Sequence, residues 1–159
     1  MLKIIGLAAL FCSVNGIGVL AGSAIKERVK CLTEFRKIVD QFEIYTQYIN
    51  TDIFETMRRI NTGQKSELLT RLLKHKADWG KEAVLMELTA RNEADREVML
   101  EFFTAIGTSD LSGQAAVCKK AACQTAVLLE EANAQLNGKV KMYKSLGLCA
   151  GLAAVIFFI

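Results

Sequence analysis

Residues 26–50 read KERVKCLTEFRKIVDQFEIYTQYIN, and the spacing of their apolar side chains decides the fold. Leu32, Phe35, Val39, Phe42 and Ile49 recur at steps of three, four and seven, the repeat that lines one face of an α-helix. Neither Gly nor Pro interrupts the stretch. Residues 4–25, just before it, carry no charge and only Asn15 and a few Ser and Gly as polar breaks. One helix is therefore expected to run from that apolar segment to about Asn50.

The pattern beyond it is helical too. Thr51-Asp52 is placed to cap a short amphipathic helix over 53–60 that ends at Thr62-Gly63. Ser66 is placed to cap a third, with Leu68, Leu69, Leu72 and Leu73 on one face. A break is expected at Asp78-Trp79-Gly80, then a helix over 81–90 with Val84, Leu85 and Leu88 apolar. Asn92 opens a fifth helix. Its early acids Glu93, Asp95 and Glu97 suit the positive end of the helix dipole, its buried face reads Val98, Met99, Phe102, Phe103 and Ile106, and Gly107 ends it. The sixth starts between Asp110 and Ser112 and continues into a second apolar run, with Leu111, Ala115, Cys118, Ala122, Leu129, Ala132, Leu136, Val140 and Tyr143 as its stripe. No segment alternates with period two, and the chain has no Pro to break helix interiors. The fold class is all-α: an antiparallel bundle of about six helices, its first and last helices extending into the membrane.

The two apolar runs carry that last expectation. Residues 4–25 match the roughly 20 apolar residues that cross a hydrocarbon core. A cleaved secretory leader is the competing reading, since Lys3 gives a basic start and residues 21–24 are small. The run is longer than the roughly 7–15 apolar residues of a leader, and in VLAGS at 19–23 Ser23 stands where a lipoprotein would carry Cys; both favour an uncleaved anchor. The second run, residues 146–159, reads LGLCAGLAAVIFFI. As a helix it reaches about 21 Å, and Lys144 can extend it by snorkelling; a tail folded into a soluble core is the alternative. The expected organisation is a transmembrane helix over 1–25, a bundle domain over 26–144 and a transmembrane or tail-anchor helix over 145–159. Lys26, Arg28 and Lys30 follow the first run, and Lys139, Lys141 and Lys144 precede the second. The positive-inside rule then puts the bundle in the cytoplasm. Gly18 and Gly22 in one run, and Gly147 and Gly151 in the other, have the GxxxG spacing that lets membrane helices approach closely.

Little in the chain points to chemistry. A net charge of +3 over 159 residues argues against a nucleic-acid partner. Cys12, Cys31, Cys118, Cys123 and Cys149 are odd in number and irregularly spaced, unlike a disulfide framework and consistent with a reducing compartment. His75, the single histidine, sits between Lys74 and Lys76 and reads as an exposed surface residue. There is no CxxC, no HExxH and no glycine-rich phosphate loop. Glu130-Glu131 reads as a solvated helix face, and Arg58-Arg59 as an exposed basic pair able to dock an acidic partner. The expectation is a non-enzyme without cofactor, metal or small-molecule ligand.

Three stretches carry a family resemblance: the opening MLKIIG, DREVMLEFFTAIGTSDLSGQ at 95–114, and the close KMYKSLGLCAGLAAVIFFI. The chain resembles the stage III sporulation protein AB family over its whole length in layout. One turn departs from the family pattern: where members carry Tyr-Gly-x-Thr-Pro-Leu, this chain reads Tyr48-Ile49-Asn50-Thr51-Asp52-Ile53, keeping Thr and losing Gly and Pro. The resemblance implies a subunit of a secretion-like channel complex made in the mother cell of an endospore former, in the outer forespore membrane. It also implies likeness to the cytoplasmic domain of type II secretion and type IV pilus platform proteins, and docking to a secretion-type ATPase of the stage III sporulation protein AA kind. Other channel membrane subunits, and further copies of the chain, are the remaining implied partners. A membrane-anchored helical adaptor or sensor unrelated to secretion is the alternative.

Cysteines introduced at Gly22 and Gly147 in a background freed of native cysteines should crosslink in membranes. A pair that never reacts would remove the GxxxG pairing.

Overall fold

The structure, a computed structural model, describes the backbone of residues 2–48, 52–88, 90, 92–106 and 111–158, and the side chains of 23–46, 52–75, 79–88, 90, 92–106, 113–138, 142, 145 and 149. Among the described residues it is all-α, with no strand. Six α-helices follow one another: α1 (Leu2–Tyr48), α2 (Ile53–Gln64), α3 (Glu67–Leu72), α4 (Lys81–Glu87), α5 (Glu93–Ile106) and α6 (Leu111–Phe158), with a 3-10 segment (Leu73–Asp78) continuing α3.

The helix ends show what the local sequence dictates. Ser66 is buried and its hydroxyl accepts from Leu69 N at 3.3 Å, capping α3. Asn92 caps α5 by accepting from Ala94 N at 3.0 Å. Asp52 caps differently from expectation: its side chain makes no cap bond, and its carbonyl accepts from Thr56 N at 2.9 Å. α2 runs past Gly63 to Gln64, and the left-handed residue that stops it is Lys65 (φ 50°, ψ 47°), whose N–H closes on Asn61 O at 2.7 Å. A non-glycine residue there costs about 1–2 kcal/mol, so the corner is held by what surrounds it. α4 stops at Glu87, short of the expected residue 90, and Leu88 behind it has extended backbone. The expected endpoints at Ile49, Asn50, Thr51 and Gly107 lie outside the described residues.

Two compact units divide the chain: residues 30–129, and residues 1–29 with 130–159. The core of the first is aromatic. Phe35 and Phe42 of α1 and Phe102 and Phe103 of α5 are fully buried. Phe102 meets Phe35, Phe42 and Phe103 edge-on at centroid distances of 5.5, 5.6 and 5.1 Å, the geometry ring quadrupoles favour. Leu32, Ile38 and Val39 complete the α1 face; Met57, Ile60, Leu69, Leu72 and Val84 bring α2, α3 and α4 onto it. α6 contributes small buried residues, Cys118, Ala121, Ala122 and Thr125. α1 and α6 run antiparallel: Arg36 Nη1 donates to Ala122 O at 2.5 Å, while Glu43, further along α1, acts electrostatically on Cys118, earlier in α6. In the second unit Ile25 and Ala132 are buried, and Arg28 reaches Gln135 Oε1 at 3.4 Å and Glu131 Oε2 at 3.7 Å.

Among the described residues no helix is long and apolar enough to cross a membrane. The side chains of both apolar runs, residues 4–22 and all of 146–159 except Cys149, lie outside the described residues, although the backbone is helical through both.

Phe102→Ala removes the ring shared by three aromatic contacts and should cost about 3–5 kcal/mol, read by urea denaturation of the detergent-solubilised chain. A loss below about 1 kcal/mol would show that the aromatic core does not organise this unit.

Candidate functional site

The richest polar region lies where α3, α4 and α5 meet α1. The Ser66 hydroxyl donates to Glu34 Oε1 at 2.6 Å, pinning the α2–α3 corner to α1. Asn61 Nδ2 donates to Thr70 Oγ1 at 2.9 Å, closing α2 on α3. Glu87 of α4 meets two side chains from the α3 segment: the Arg71 guanidinium, whose Nε lies 3.8 Å from Oε2, and the His75 imidazole, whose Nε2 lies 2.8 Å from Oε1. Arg96 of α5 donates to Leu85 O at 3.1 Å. His75 is therefore not the free surface residue its lysine neighbours indicate. A local kink at His75 (φ −94°, ψ 22°) accompanies its half-buried position against Glu87, a long-range pairing that neighbours in sequence do not encode.

Asp95 lies in the first turn of α5, as the sequence indicates, and it is also buried, at 2% exposed. The periodicity contained this, because one step of four back from Met99 on the stripe Met99, Phe102, Phe103, Ile106 lands on Asp95. Asp95, Glu34 and Arg71 all act electrostatically on Cys31. Burial first, then the Glu34 and Asp95 carboxylates, push the Cys31 thiol up, against the opposing pull of Arg71. Burial and then the Glu43 carboxylate push the Cys118 thiol up to about 12, a backbone hydrogen bond acting in the other direction. Both shifts favour the neutral thiol over the thiolate, which is the reactive form. Among the described residues no group of three or more His, Cys, Asp and Glu could hold a metal ion.

The surface residues singled out by sequence separate clearly. Arg58 and Arg59 are both exposed on α2. Arg59 Nε is held by Glu55 Oε1 at 3.2 Å, whereas Arg58 has no ion pair among the described residues. Gly18, Gly22, Gly147 and Gly151 lie on helical backbone, and how they pack lies outside the described residues. Glu131 takes part in the Arg28 contact and Glu130 is exposed. An open groove of about 550 Å³ is lined by Trp79, Lys81, Glu97, Leu100, Glu101 and Thr104; Phe54 stacks edge-on against Trp79 at 5.2 Å, and Glu101 pairs with Lys120. No local motif marks this groove, because its residues come from separate helices. Polar residues in this region are tied to one another between helices.

A family model described as stage III sporulation protein AB matches residues 3–159. No curated protein and no solved structure matches the chain.

Iodoacetamide at pH 8 should modify exposed Cys123 in the folded chain while leaving Cys31 and Cys118 unmodified, as read by peptide mass spectrometry. The fold favours the neutral Cys118 thiol. Its contribution to stability is fully present below the ordinary thiol value of 9.0 and is lost as pH rises towards about 12. Cys118→Ala should therefore flatten the decline of stability across that alkaline window, and an unchanged slope would refute the assignment.

Proposed function

The chain belongs to the stage III sporulation protein AB family, and from that premise we propose that it is a non-catalytic membrane platform subunit of a sporulation channel complex, docking a secretion-type ATPase on its bundle domain. The observation that carries this reading is the family match over residues 3–159, which takes in both apolar runs. The apolar runs support membrane anchoring at both ends: each is helical along its backbone, and in the sequence Lys26, Arg28 and Lys30 follow the first while Lys139, Lys141 and Lys144 precede the second. In this reading the bundle faces the mother-cell cytoplasm from the outer forespore membrane, where a soluble ATPase of the stage III sporulation protein AA kind can reach it, and the anchors meet other channel subunits or further copies of the chain.

Arg58 is our choice for an ATPase-facing contact. It is exposed, and no carboxylate among the described residues holds it, whereas Arg59 is already engaged by Glu55. An unpaired arginine keeps its full fork of donors for a partner's carboxylate.

Two measurements test the proposal. A single cysteine in the bundle domain should react with an impermeant maleimide only from the cytoplasmic side, and one placed after Ile159 only from the opposite side. Full-length chain in detergent should capture the ATPase, and Arg58→Glu should weaken capture about tenfold. A bundle domain labelled from the outside would end the ATPase-docking reading; capture indifferent to Arg58→Glu would move the contact elsewhere on the bundle.

A further inference from the structure

A groove of about 780 Å³ lies between α1 and the α2–α3 corner, lined by Lys30, Thr33, Glu34, Lys37, Lys65 and Glu67 among others. Lys30 and Lys37 are exposed on one face of α1, two turns apart. Lys65 is brought to the groove by the left-handed turn that ends α2, and the bond from the next residue, Ser66, to Glu34 fixes that corner against α1. None of the three ammonium groups has an ion pair among the described residues. By contrast Arg28, in the same stretch of sequence, is 13% exposed and engaged by Glu131.

We infer that Lys30, Lys37 and Lys65 form a binding site for the phosphate of an anionic phospholipid headgroup, which seats the bundle domain on its own membrane. The inference rests on the anchor reading above. Three lysines against Glu34 and Glu67 leave the groove a net charge of +1. That is too little for a polyanion, whose binding scales with the number of phosphates neutralised. It suits a single phosphodiester held by charge-assisted hydrogen bonds. The lipid source follows from the chain: Lys30 is five residues beyond Ile25, the end of the apolar run. Five residues span at most about 18 Å in any conformation, so an anchor over 4–25 holds Lys30 near the headgroup layer. Basic clusters in that position are drawn to anionic leaflets.

The test uses the full-length chain reconstituted in vesicles of phosphatidylcholine alone or with phosphatidylglycerol, followed by lysine acetylation and peptide mass spectrometry. Lys81, exposed on α4, serves as the internal reference. The expected result is acetylation of Lys30, Lys37 and Lys65 slowed about fivefold by phosphatidylglycerol, restored by high salt, with Lys81 unchanged. Lys65→Glu should then restore acetylation of Lys30 and Lys37, which a general surface potential without a shared site would not do. Equal protection by inorganic phosphate with phosphatidylcholine would overturn the lipid source. Protection that appears only when the ATPase is added would assign the groove to a protein instead. Chain that floats with both vesicles but shows no charge-dependent protection would refute the headgroup site and leave the anchors standing. Chain that fails to float would remove the anchor reading itself, and this inference with it.

Discussion

The contact of Phe35 and Phe42 with Phe102 is the constraint on which the 30–129 unit depends. The two α1 rings are seven residues apart, two helical turns, so they face the same way, and the α5 ring inserts between them. That single arrangement sets the distance and rotation of α5 against α1. It also explains the composition of α6. With bulky rings filling one side of the core, the opposite helix contributes Cys118, Ala121 and Ala122, whose small side chains let its backbone come close enough for Arg36 to reach the Ala122 carbonyl. Large side chains on one helix and small ones on its neighbour are how close packing is reached without voids.

The α2–α4 layer obeys a different logic. α3 has six residues and α4 has seven, too few for a stable helix in isolation. They persist because Leu69, Leu72 and Val84 are buried and because polar ties span the joints: Ser66 to Glu34, Asn61 to Thr70, and Arg71 and His75 to Glu87. Of these, the Ser66 and His75 bonds end on a carboxylate, and hydrogen bonds to charged groups contribute more than neutral ones, so they do most to set which way the short helices point. A layer oriented by specific polar contacts presents a defined set of exposed cations, Arg58 on α2 and Lys65 at its end.

What the sequence determined by itself was the helical class, the order and approximate lengths of the helices, and most of the core. Each of these depends on spacing within a few residues, and apolar side chains recurring at three and four leave one solution. The caps at Ser66 and Asn92 and the burial of Phe35, Phe42, Phe102 and Phe103 were legible for that reason. The apolar runs are equally plain in the sequence. The residues decided only by tertiary structure are those whose partners lie far along the chain. His75 meets Glu87 across the turn between two short helices, and Lys65 takes a left-handed backbone where Gly63 stood two residues away. The Lys30, Lys37 and Lys65 groove is of the same kind, because its members are separated by up to 35 positions in sequence and meet only when the α2–α3 corner docks on α1. Periodicity reports which face of a helix is buried; it carries no information on which charged side chains two docked helices bring together, and that is settled by packing.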